Sequence, residues 1–134
     1  MERRFPRDIG SLEAVFTFVA EFAAAHAIDQ DACFDADLIV EELFTNMVKY
    51  SRDGAQDIAI ALGRAPGRLT IVLRDFDVEA FDITQMPDFD TTTPLERRRA
   101  GGLGIHLVKQ IAETLRYDYA DRNSTITVTR RLES

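Results

Sequence analysis

Cysteine is almost absent from this chain: Cys33 is the only one among 134 residues. An internal disulfide is therefore excluded, and no Cys/His cluster has the spacing of a zinc site. The lone thiol reads as a buried packing residue. Long apolar runs are also missing, since none approaches the ~20 residues of a membrane helix. The opening stretch MERRFPRDIGSLEAVF lacks the apolar core and small-residue cleavage site of a signal peptide. The expectation is a cytoplasmic protein without a membrane partner. Basic charge is in deficit, with 16 Lys and Arg against 23 Asp and Glu, a net charge of −7. Nucleic-acid affinity comes largely from neutralising phosphates. The one dense basic run, Arg97 to Arg99, adjoins Glu96, so nucleic acid is not an expected partner. Glycine is scarce, at seven residues in all, which makes its placement informative.

What is present suits one soluble domain spanning residues 1–134, with no internal repeat or low-complexity segment. RRF reads as a short opening strand and Ser11 as a helix cap. Leu12, Val15, Phe16, Val19, Phe22 and Ala23 then recur at the i, i+3, i+4 spacing of an amphipathic helix. A second helix is expected from Asp31 to Tyr50, with Phe34, Leu38, Ile39, Leu43 and Met47 as its apolar positions. DIAIALGR and RLTIVLRDF alternate as strands on either side of an APG hairpin turn. Residues 76–100 have little periodicity and contain Pro87 and Pro94. Loops this long in a compact domain are usually functional or disordered. A third helix is expected through Ile105, Val108, Ile111, Ala112 and Leu115, followed by the strands RYDYA and STITVTRRL. The expected fold is α/β, a two-layer sandwich in which three helices cover one face of a mostly antiparallel mixed sheet.

Gly101, Gly102 and Gly104 stand directly before that third helix. Glycine costs roughly 1 kcal/mol in a helix relative to alanine, so the spot needs bare backbone. A helix start exposes unpaired N–H groups and partial positive charge, a natural seat for phosphate. A cap or tight packing is the alternative. A Walker A loop fails for want of Gly-Lys-Ser/Thr. A Rossmann loop fails because Leu107 stands at the third glycine position and no strand leads in.

The second helix supplies a complementary feature in VEELFTNMVKYS. Glu42, Asn46 and Lys49 fall on one stripe of a helix. A solvated Glu–Lys face is one reading. The other gives Asn46 a carbonyl oxygen for Mg²⁺, a hard cation that takes few protein ligands, and makes Glu42 a base for a hydroxyl or water.

Together, the E-x-x-x-N helix, the strand ending at Asp75, the long loop and the G-x-G helix start resemble the GHKL-type ATP-binding (Bergerat) fold of gyrase, Hsp90, histidine kinases and MutL. The resemblance is closest to the stand-alone anti-sigma factor serine/threonine kinases of bacterial partner switching and spans nearly the whole chain. It is carried most specifically by VEELFTNMVKYS and PLERRRAGGLGIHLVKQIAETLRYDYA. It implies that ATP and Mg²⁺ are the cofactors, that Asn46 holds Mg²⁺, and that Glu42 is the catalytic base. It further implies that residues 83–100 form a lid and that the amides around Gly102, Leu103 and Gly104 hold phosphates. Lys49 matches a residue type common at its position, and Tyr50 stands where many relatives have His. One motif departs. The family's adenine site reads D-x-G-x-x-F, whereas this chain has RDFDVEAFDI. Asp75 is the candidate for the adenine-reading aspartate, but Asp77 replaces the glycine and Phe81 comes one residue late. A side chain there would crowd the purine, and an inward carboxylate would repel triphosphate.

The implied function is an ATP-dependent protein serine kinase that inhibits a sigma factor and phosphorylates a STAS-domain anti-anti-sigma protein. A homodimer is a common form of such relatives. The rival is a non-catalytic partner-switching module of the same fold. Among the remaining candidates, His26 and His106 lack ligand partners at useful spacing, and Phe16, Phe18 and Phe22 read as core and interface. Arg97 to Arg99 read as a solvated run, with phosphate contact from a closed lid as the alternative.

Overall fold

The computed structural model describes residues 1–50, 54–82 and 102–132, with Gly102 and Leu103 described in backbone alone. The proposed lid and Arg97 to Arg99 lie outside these residues. The order is β1 (Glu2–Phe5), a 3-10 turn (Ile9–Ser11), α1 (Leu12–Ala25), α2 (Gln30–Tyr50), β2 (Ile58–Ala65), β3 (Arg68–Asp75), α3 (Gly102–Ile111), β4 (Thr114–Ala120) and β5 (Asn123–Arg131). Five strands form one sheet in the order β1-β2-β3-β5-β4, and every pairing in it is antiparallel. The α/β sandwich is as expected, except that the described sheet is antiparallel throughout rather than mixed.

Strand alternation builds the sheet's inner face. Ile58, Ile60 and Leu62 of β2, Leu69, Ile71 and Leu73 of β3, and Ile126 and Val128 of β5 are all buried. Against them pack Phe18 and Phe22 of α1, Ile39, Leu43 and Phe44 of α2, and Ile105 and Val108 of α3. The same period carries β3 one step further, to Asp75, and β5 one step back, to Ser124. These two are register partners, and both are buried. One end of the apolar face thus finishes in a polar pair beneath the helices.

Three local readings are corrected. Ser11 occupies the N-cap position of α1 but makes no capping bond; its hydroxyl donates to the Pro6 carbonyl at 2.8 Å. The cap of α2 is Asp29, whose Oδ1 accepts from the Ala32 amide at 2.8 Å. Phe34 is not on the buried face of α2 but is 70% exposed. Leu115 belongs to β4, paired with Val128. There the Glu113 amide donates to Thr129 O at 2.7 Å, drawing the chain into the sheet ladder just after α3 ends. The hairpins follow their turn chemistry. Gly67 adopts φ +72° after Pro66, as a type II turn requires. Asp121 and Arg122 both have positive φ, as in a type I′ turn.

Candidate functional site: a helix-borne carboxylate, a buried amide and a bare helix start

Asn46 does not sit on a solvated stripe. It is 2% exposed and lies with Ile39, Leu43 and Met47 on the buried side of α2. Its Nδ2 donates to the Glu42 carbonyl at 2.7 Å and to Glu42 Oε1 at 3.0 Å. Both protons of the amide are thereby engaged. Its Oδ1 is buried and accepts no hydrogen bond among the described residues. A buried oxygen without a donor is costly, and a hard cation is one partner that would satisfy it. The residues present therefore fit Mg²⁺. No cluster of three His, Cys, Asp or Glu exists among the described residues, so other ligands would have to come from phosphates and water.

Burial raises the Glu42 pKa above the ordinary carboxylate value; the Asn46 hydrogen bond and Lys49 oppose the shift, and Glu41 adds to it. The Glu42 carboxylate lies directly over Gly104, where a Cβ would overlap its oxygens. Gly104 is not among the positive-φ glycines. The glycine is there for space, not for an unusual backbone. Gly102, Leu103 and Gly104 form the first turn of α3, inside the helix rather than before it. Their N–H groups are those a helix start leaves unpaired, and the Glu42 carboxylate lies against Gly104 in this turn. Ile105 and Val108, both buried, anchor this helix start to the core. Lys49 is exposed near the C-terminal end of the same helix as Glu42.

Asp75 is fully buried. Its Oδ1 accepts from Arg7 Nη2 in an ion pair, and its Oδ2 accepts nothing among the described residues. Arg7 also donates from Nη1 to the Met47 carbonyl at 3.1 Å. Asp77 takes φ +53°, a left-handed conformation that favours glycine. Its side chain turns outward to pair with Arg122 at 2.8 Å. Phe81 stacks on Tyr50 with ring centroids 5.3 Å apart, and its amide donates to the Tyr117 hydroxyl at 3.0 Å. Tyr117 in turn lies 3.2 Å from the Ser124 hydroxyl.

A family model of the histidine kinase-like ATPase domain matches residues 5–130. The chain belongs to this family. No curated protein matches it in sequence. Solved structures of similar fold include the RsbU and RsbW domains of Rv1364c from Mycobacterium tuberculosis, at TM-score 0.68 and 18% identity over 98% of this chain. The match covers 32% of that longer chain. The SiaB-SiaC complex from Pseudomonas aeruginosa gives TM-score 0.61 and 12% identity, covering 97% of this chain and 88% of that one. The Acinetobacter baumannii histidine kinase AdeS gives 0.56 and 13%, covering 100% and 68%. At these identities the likeness is one of fold.

Within this histidine kinase-like ATPase domain, the structure brings together Glu42, Asn46 and the Gly102–Gly104 turn. Asp75 stands with Ser124 at the end of the inner sheet face. Sequence reasoning missed Arg7, Ser124 and Tyr117. Ser124 was legible in principle, because the alternation Ser124, Ile126, Val128 marks it as inward. Arg7 had no local signal, being 68 positions from its partner. The other candidates take ordinary roles. His26 stacks on Phe22 at 4.3 Å, and His106 lies 3.1 Å from Gln110. Cys33 is half-buried, and burial, with Asp37 adding to it, raises its thiol pKa. Among the described residues no helix is long and apolar enough to cross a membrane.

Proposed function

We propose that this domain, read as one unit over residues 1–134, is a cytoplasmic ATP-dependent protein serine kinase and anti-sigma factor. Its substrate would be a serine on a STAS-domain anti-anti-sigma protein. The observation that carries the reading is the cluster of Glu42, Asn46 and Gly104. A carboxylate of raised pKa, a buried amide oxygen without a donor, and a Cβ-free helix start meet there. Family membership supports ATP as the nucleotide. The fold likeness to structures of an RsbW domain and a SiaB-SiaC complex supports a partner-switching role.

The substrate hydroxyl oxygen attacks the γ-phosphorus, and its proton passes to Glu42. The bond from the γ-phosphorus to the β,γ-bridging oxygen breaks, and ADP leaves with that electron pair. Transfer of this kind depends mainly on positioning and electrostatics. The amides of Gly102, Leu103 and Gly104 and the Lys49 ammonium hold phosphate oxygens. Asn46 Oδ1 would hold Mg²⁺, which when bound would neutralise phosphate charge. Asn46 Nδ2 keeps the Glu42 carboxylate in place. Asp75 would be the acceptor for the adenine amine, its Oδ2 being without a donor among the described residues but buried behind the pair with Arg7.

Incubating the protein with Mg-ATP and a STAS-domain partner, then locating phosphate on the partner by mass spectrometry, tests the reading. Phosphoserine that forms with wild type and not with Glu42→Gln is the expected result. A second reading, a module that binds partners without catalysis, is favoured by one observation: Arg7 already engages Asp75. Under that reading, Mg-ATP leaves the melting temperature unchanged.

A further inference from the structure

Arg7 precedes α1 in the chain, yet its side chain is only 12% exposed and ends at Asp75, whose own side chain is fully covered. Three separate elements enclose the guanidinium. The Met47 carbonyl of α2 accepts from Nη1, and the Asp75 carboxylate at the end of β3 accepts from Nη2. The backbone of Gly54 leaves it room, since a Cβ there would lie 2.5 Å from the guanidinium carbon. Resting on the reading of Asp75 as the base-reading carboxylate, we propose that Arg7 occupies the nucleobase subsite from within the chain and sets its specificity. While the ion pair stands, Asp75 Oδ1 is taken by Arg7 and Oδ2, although it accepts nothing among the described residues, is buried, so the carboxylate is closed to the exocyclic amine of a purine.

The physical reason is an unequal exchange. A buried carboxylate stripped of its counterion is left with an uncompensated charge. A neutral amine donates one hydrogen bond and supplies no charge in return. The wild-type protein therefore holds a triphosphate mainly by its phosphates and discriminates weakly between bases. Asp77 is not the obstacle, because its side chain faces out to Arg122. Displacing Arg7 turns the subsite into an amine reader.

The test is calorimetric titration of the full chain with Mg-ATP and with Mg-ITP, which carries a carbonyl in place of the amine. Wild type should bind both within a few-fold of each other. Arg7→Ala should bind ATP more tightly and prefer it over ITP by about 10–100-fold, the effect of one hydrogen bond to a charged group. Arg7→Gln keeps a neutral donor near Asp75 and Met47 and should shift the same way if Arg7→Ala does not fold. A change in stability alone would not move the ATP/ITP ratio, so that ratio separates a specificity role from a structural one. If the Arg7 variants bind ATP no better than wild type, with an unchanged ratio, the proposal is overturned while nucleotide binding stands. If wild type and variants all bind neither triphosphate, the kinase reading fails and the proposal with it.

Discussion

The two ends of the candidate site solve the burial of polar groups in opposite ways. At the phosphate end, Asn46 and Glu42 bond to each other, yet Asn46 Oδ1 is left without a donor and Gly104 keeps a Cβ out of the way. At the base end, the Asp75 carboxylate is already matched by a cation from its own chain. Both ends keep one buried oxygen without a donor among the described residues, Asn46 Oδ1 and Asp75 Oδ2, but only the base end has its charge met by a cation from its own chain. Their hydrogen bonding separates them.

The largest expected effect lies at the phosphate end. Glu42→Gln should lower phosphoryl transfer by about 10²–10⁴-fold while nucleotide titration changes little. A wild-type rate in this variant would remove Glu42 from the chemistry. The raised pKa adds a pH signature. Transfer should climb as pH rises through the raised Glu42 value and then level off, because only the ionised carboxylate takes a proton. A rate profile that keeps the same low-pH limb in Glu42→Gln would assign that limb elsewhere.

Gly104→Ala should come next. Its Cβ would displace the Glu42 carboxylate, the movable end of a flexible side chain, and would cover the helix start. Mg-ATP affinity should drop by at least about tenfold, against a helix-propensity gain of up to about 1 kcal/mol. Full affinity in a stable variant would mean that these glycines serve packing only.

Smaller is the effect of Glu42 on stability, and its sign follows from the raised pKa. The folded state binds the proton more readily than the unfolded state. Stability from this group is therefore fully present below the unfolded pKa and is lost as pH rises to the folded one. Glu42→Gln should melt higher than wild type at neutral pH, and the advantage should shrink under acid conditions. An advantage independent of pH would point to packing rather than charge. The smallest change is expected at Asp77→Gly. It relieves a left-handed residue at φ +53° and gives up an exposed ion pair of little worth. Stability should stay within about 0.5 kcal/mol, as for most surface changes, and ATP affinity should hold, whereas the same measurement on Arg7→Ala should show a clear gain.

Much of the fold was legible because local rules and tertiary packing agree along most of the chain. The alternation in IAIALGR and LTIVL gave both central strands and their inward faces. Helical spacing gave α1 and α2, and clustered glycines marked the start of α3. The misses share a cause, which is long-range context overriding a local pattern. Leu115 fits a helical period, but pairing with Val128 places it in a strand. Asn46 reads as part of a polar stripe, yet it is buried with Ile39, Leu43 and Met47 on the inner side of α2. Asp77 in a glycine position reads as an obstruction, yet its left-handed backbone sends the side chain outward to Arg122. The residue that does engage the base end, Arg7, comes from the N-terminal segment, 68 positions from Asp75, where no spacing rule could pair the two.

The contrast between the two ends is tested most directly by Mg-ATP calorimetry on three proteins side by side: wild type, Asn46→Ala and Asp75→Asn, at a temperature where all three are folded. If affinity resides at the phosphate end, Asn46→Ala loses most of it, tenfold or more. Asp75→Asn then loses little, because Arg7 already holds that carboxylate. The reverse order, with Asp75→Asn abolishing binding and Asn46→Ala retaining it, would contradict the account.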